Sequence, residues 1–170
     1  GHGACADGAA CRSGPAIESV KKGYAMRLEN KIAVVTGGGS GFGTGIAERF
    51  AQEGAALVIA DINMDAARDT ASRLNGMPVQ ADVSRNDDMA ALAAAVMDRH
   101  GRIDIFVNNA GITHLPRPMD EIEEAEFDRV LMVNTKSVYL SARHVVPVMK
   151  RQESGVILNI ASTAGGSPRP

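Results

Sequence analysis

Ile32-Ala33-Val34-Val35-Thr36-Gly37-Gly38-Gly39-Ser40-Gly41-Phe42-Gly43 is the stretch from which the rest of this 170-residue sequence is read. Residues 32–35 are apolar and mostly β-branched with nothing polar among them, the signature of a strand buried on both faces. The glycines that follow let the backbone turn tightly and approach a pyrophosphate, and the start of a helix favours that negative charge. Thr36, Gly37, Ser40, Gly41, Phe42 and Gly43 are therefore candidate ligand-binding residues. Glycine clusters are common in turns and are weak evidence alone. Two features strengthen this one: it lies between a buried strand and a helix continuing over 46–52, and an acid, Asp61, ends the next strand over 56–60. Asp61, with Ile62 beside it, is placed to accept hydrogen bonds from ribose hydroxyls. The competing reading of Asp61 is a cap for the helix that follows.

Outward from this stretch, strands and helices alternate. The pattern predicts a helix over Met64–Leu74 stopped by Asn75-Gly76, a strand over 78–81, a helix over 87–100 closed by Gly101, and a strand over 103–107. A loop with Pro116 and Pro118 precedes one long helix over about 123–151. A fifth strand follows over 156–160, then a loop marked by Gly165, Gly166, Pro168 and Pro170. Five apolar strands separated by helices imply an α/β fold with a parallel sheet covered on both faces. Right-handed crossovers favour a Rossmann-type, doubly wound order of 3-2-1-4-5, here incomplete at its C-terminal side. Residues 26–170 form this domain. Residues 1–25, rich in Gly, Ala and Ser and without a clean period, are expected to be a disordered tag or upstream extension.

Further polar residues fall at strand ends or on helix faces. Asp82 stands in Ala81-Asp82-Val83, and Asn108-Asn109-Ala110-Gly111 follows the fourth strand, at the sheet edge where ligands of such folds bind. The Asn108 and Asn109 amides would also serve simply to tie neighbouring strand ends together. Asn134 has Phe127, Val130, Leu131 and Val138 on its own helical stripe, which predicts a buried amide. Such an amide costs about 1–3 kcal/mol unless its hydrogen bonds are met, so it is either a satisfied core asparagine or a functional group. Ser162, in Asn159-Ile160-Ala161-Ser162, is by composition alone an ordinary loop residue.

The spacing TGxxxGxG, the Asn-Asn-Ala-Gly run and the order of these segments resemble the short-chain dehydrogenase/reductase family across 26–170. The resemblance implies an oxidoreductase that moves a hydride between the nicotinamide of NAD and a carbonyl or secondary alcohol. It gives Asp82 and Val83 to the adenine ring and Asn109, Ala110 and Gly111 to the cofactor wall. Asn134 would hold a water in a proton relay, and the Ser162 hydroxyl would polarise the reacting oxygen, making these two the catalytic candidates. Asp61 would repel a ribose 2′-phosphate, and Ser40 is not basic, which favours NAD over NADP. The family's Tyr-x-x-x-Lys motif, expected beyond the serine, does not occur before Pro170. The tyrosines are Tyr24 and Tyr139, and Tyr139 with Arg143 lies on the wrong side of the serine. The chain alone is thus expected to be inactive. The alternatives are a non-catalytic dinucleotide-binding module or an inactive truncated remnant.

A formal charge of −2 provides no basic field, so neither nucleic acid nor a membrane surface is an expected partner. Apolar runs such as 90–97 are too short to span a bilayer, and no secretory signal opens the sequence, so a cytoplasmic location is expected. Cys5 and Cys11 match no zinc-ligand spacing, and no metal is expected. His2, His100 and His144 are read as non-catalytic, and His114 as a loop residue. The expected partners are a small alcohol or carbonyl substrate and a second copy of the chain. The long helix resembles one that pairs subunits in family dimers and tetramers.

Overall fold

In the computed structural model, which describes residues 26–162, five parallel strands stand in the order β3-β2-β1-β4-β5. They are β1 (Ile32–Thr36), β2 (Ala56–Asp61), β3 (Met77–Gln80), β4 (Ile105–Asn108) and β5 (Val156–Asn159). The helices are α1 (Gly41–Gln52), α2 (Met64–Leu74), α3 (Asn86–His100), α4 (Glu124–Leu131) and α5 (Ser137–Gln152). The readings of residues 1–25 and of the loop after Ser162 lie outside the described residues.

Every residue of β1 is buried, as its unbroken apolar run requires of a central strand. It pairs with β2 through Ala33↔Leu57 and Val35↔Ile59, and with β4 through Ala33↔Ile105 and Val35↔Val107. Alternate residues point to opposite faces and build two cores. Val34, Val58 and Phe106 pack with Leu92 and Val96 of α3 and Leu140 and Val145 of α5. Val35, Ile59 and Val107 pack with Ala47 of α1 and Ala67 and Ala71 of α2. The sheet is therefore covered on both faces, and all its strands end at one edge.

Local chemistry sets the helix ends. Gly101 adopts φ 72° and returns its N–H to the Met97 carbonyl, closing α3. The cap of α2 is Asn63, whose side chain accepts from Asp65 N and Ala66 N, so Asp61 does not have the capping role. At the opposite edge of the sheet, the Asp104 carboxylate is 4% exposed and accepts from Ile32 N (2.9 Å) and from the Arg102 guanidinium (2.6 and 2.9 Å). Burial pushes its pKa up, but the bonds from Arg102 and Ile32 and the charges of Arg102 and Lys31 outweigh this and leave it below the ordinary value.

Two expectations are corrected. The single helix over 123–151 is divided by a π turn at Met132–Lys136 between α4 and α5. The stripe carrying Phe127, Leu131 and Asn134 is exposed, because no element of the described residues covers α4. Asn134 is consequently not a buried amide. The edge strand β5 is similarly bare on one face, where Val156, Leu158 and Ile160 are about half exposed, while Ile157 on the other face packs against the core. No described helix is long and apolar enough to cross a membrane.

Candidate functional site

The site is built on the turn between β1 and α1. Thr36 is fully buried at the end of β1. Its hydroxyl donates to the Val107 carbonyl (3.1 Å) and accepts from Asn109 N (3.1 Å) and Ala110 N (3.2 Å). The Asn109 amide donates to the carbonyls of Thr36 (2.9 Å) and Gly37 (3.2 Å). These bonds fasten the loop after β4 to the glycine turn. Gly43 is buried beneath them, and a Cβ there would meet the Gly37 carbonyl oxygen. Thr36 and Gly43 thus shape the turn from below and do not line the cavity.

Above the turn, the backbone is open. Gly41 has φ 54°, a conformation that favours glycine, and a Cβ on it would meet nothing within 4 Å. Ser40 precedes α1 without a side-chain capping bond, and the first turn of α1 carries no acid. The first amides of a helix have no acceptor within it, so this N-terminus presents donors and a positive dipole end to the cavity that Ser40, Gly41 and Phe42 line.

Asp61 ends β2 beside this space. One carboxylate oxygen accepts from Gly39 N (3.0 Å) and the other from Asn63 N (2.9 Å). The acid therefore holds the glycine turn while facing the cavity. Asp82 follows β3, and its Oδ1 accepts from Ser84 N (2.9 Å) and Ser84 Oγ (2.7 Å). The cavity, about 720 Å³, is bounded by Gly37, Ser40, Gly41, Phe42, Asp61 and Ile62 on one side. The turn with Asp82 and Val83, the wall of Asn109, Ala110 and Gly111, and the α4 end complete it. That volume falls in the range of about 300–1,000 Å³ typical of small-molecule sites.

Asn134 lies in the π turn, and its Nδ2 donates to the Ile112 carbonyl (2.8 Å) while its Oδ1 accepts from Ile112 N (2.9 Å). Asn108 donates to Asn159 Oδ1 (2.8 Å) across the paired ends of β4 and β5. Ser162 is exposed just past β5. Neither Asn134 nor Ser162 lines the cavity, but both lie at the same carboxyl edge of the sheet. Sequence reasoning missed Ser84, Ile112, Arg129, Met132 and Val133, which also line it. The signal for the last three was their i, i+3, i+4 spacing on one helix face. His114 is bonded to the Leu115 carbonyl in its loop and His144 to Asn86 between α5 and α3. No cluster of potential metal ligands occurs among the described residues.

A family of sequences described as short chain dehydrogenase matches residues 31–170. The chain belongs to the short chain dehydrogenase family. Among its relatives is 4-formylbenzenesulfonate dehydrogenase of Comamonas testosteroni, 44% identical over 85% of this chain and 60% of the relative. Tropinone reductase-like 1 of Erythroxylum coca is 42% identical over 80% of this chain and 52% of its own length. A crystal structure of 3-ketoacyl-(acyl-carrier-protein) reductase from Brucella melitensis complexed with NADH superposes with a TM-score of 0.81 at 44% identity. That match covers 84% of this chain and 62% of the other. The chain thus spans a little more than half the length of these relatives.

Proposed function

We propose that this chain is the NAD-holding portion of an oxidoreductase that moves a hydride between a nicotinamide and a carbonyl or secondary alcohol. The observation that carries the reading is Asp61, a carboxylate at the end of β2 that is bonded to Gly39 N and faces the cavity. In this arrangement the amides of Gly41 and Phe42 hold the pyrophosphate, Asp61 the ribose, and Asp82 and Val83 the adenine. Ile62, Asn109, Ala110 and Gly111 form the walls, and Thr36, Gly37, Ser40 and Gly43 shape the turn. When bound, NAD supplies the hydride acceptor or donor. The chain's own part is to bind, orient and shield. Asn134 fixes the loop after β4 beside the reacting end, and the Ser162 hydroxyl donates to the carbonyl oxygen as charge develops on it.

A 2′-phosphate on the ribose would stand against Asp61 with no basic residue at position 40 to relieve it. NADH should therefore bind about tenfold or more tightly than NADPH, and Asp61→Asn should narrow the gap. Titrating both cofactors into the protein by calorimetry checks this. Tighter NADPH binding by the unaltered protein overturns the assignment.

A non-catalytic binding module is the second reading. It is favoured by the position of Tyr139, which borders a separate cavity with Leu131 and Lys136 and whose hydroxyl accepts from Arg143 (3.1 Å). We further propose that the exposed face of Phe127, Leu131, Met132 and Tyr139 receives a second copy of the chain, giving a dimer or tetramer.

A further inference from the structure

The cavity has a direction. With a pyrophosphate at the start of α1 and a ribose at Asp61, the base of the nucleotide must lie beyond Asp61, toward the turn after β3. That end is walled on one side by Asp82, Val83 and Ser84. On the other it is walled by Arg129 of α4 and by Met132 and Val133, the first residues of the π turn that continues it. Val133 packs against the core cluster containing Ala81 and Val83, which places this segment at the base end of the cavity. Most described arginines are held by carboxylates, Arg117 by Glu126 of the same α4 among them. The Arg129 side chain makes no hydrogen bond or ion pair among the described residues, although it lines the same cavity as Asp61 and Asp82.

We infer that Arg129 is a cofactor-binding residue whose guanidinium lies flat on the adenine and closes that end of the cavity. The inference rests on the dinucleotide reading above. A guanidinium is planar, weakly hydrated and stacks on aromatic faces, and Val83, Met132 and Val133 make the cleft around it apolar enough to take a flat ring. The phosphates are served at the other end, by the α1 amides, so Arg129 acts on the base and not on the charge. Asp82 keeps one carboxylate oxygen, Oδ2, without a partner among the described residues, directed chemistry for the amino edge of the same ring.

The test is calorimetric titration of NADH and AMP into the full 170-residue chain and its Arg129 variants. Arg129→Ala should weaken both ligands by the same factor, about tenfold. Arg129→Lys should weaken them nearly as much, because an ammonium keeps the charge and loses the plane. The loss should change little between low and high salt. Arg129 is exposed and unpaired, so the melting temperatures of the variants should match that of the parent. Unchanged AMP affinity in Arg129→Ala overturns the inference alone, as does full retention by Arg129→Lys, which would signify a phosphate contact. An unaltered chain that binds neither NADH nor AMP overturns the dinucleotide reading and this inference with it.

Discussion

The imidazole of His100 ends α3 with its Nε2 buried and without a hydrogen-bond partner among the described residues. Burial pushes its pKa down, and the neighbouring charge of Arg99 pushes it in the same direction. The unfolded chain takes up this proton near the ordinary value of about 6.5, whereas the folded chain resists it. Stability from this residue is therefore complete above that value and is lost as the pH falls below it. The melting temperature should hold steady above neutrality and decline toward pH 5.5, and His100→Gln should remove part of that decline. Parallel slopes in the two proteins would show that His100 is not responsible. Residue-scale chemistry of this kind was only partly legible in the sequence. The glycine turn was readable because Gly41 and Gly43 have local reasons to be glycine. That Thr36 is buried and saturated by Val107, Asn109 and Ala110 was not, since those partners are about seventy residues away in the chain.

At the scale of elements, the joint between α4 and α5 is the feature that local pattern hides. Residues 123–151 keep a helical period throughout, so the sequence predicts one helix, and only the pairing of Asn134 with Ile112, 22 residues earlier, marks where the π turn lies. Periodicity also tells which face of a helix is apolar but not whether anything covers it, and so the exposed stripe of α4 was misread as buried. The β-strands fared better because an apolar, β-branched run such as 32–35 has few other stable environments. π turns occur preferentially at functional sites, and here the turn holds the loop that continues the cavity wall. Asn134→Ala should cost about 0.5–1.5 kcal/mol, the net worth of exposed hydrogen bonds, and should speed exchange of the Ile112 amide hydrogen. Asn134→Asp should be no milder, since it keeps the acceptor for Ile112 N but turns an oxygen toward the Ile112 carbonyl. Unaltered exchange at Ile112 in both variants would refute the latch.

At the scale of the whole molecule, Phe127, Leu131, Met132 and Tyr139 leave an apolar surface on one side of the sheet, and Val156, Leu158 and Ile160 leave another at its edge. Exposed apolar patches of this kind mark association surfaces. Sedimentation should show the chain to be dimeric or larger, and Leu131→Glu should shift it toward monomer; a monomeric parent would dispose of the proposed pairing. Binding and turnover should then separate. In the proposed reading the cavity holds a dinucleotide, but proton transfer to or from the substrate oxygen needs a group of suitable pKa within hydrogen-bond reach. The two tyrosines of the sequence are Tyr24 and Tyr139; Tyr139 borders the other cavity and is bonded to Arg143, and residues 163–170 contain neither tyrosine nor lysine. General acid–base catalysis is typically worth about 10²–10⁴-fold, and an edge left open to water weakens the remaining electrostatics further. A polypeptide of these 170 residues should therefore bind NADH yet form none from NAD across a panel of secondary alcohols, while a version extended through a Tyr-x-x-x-Lys segment should turn over. Turnover by the shorter polypeptide, abolished by Ser162→Ala, would mean that a base already present within it serves the reaction.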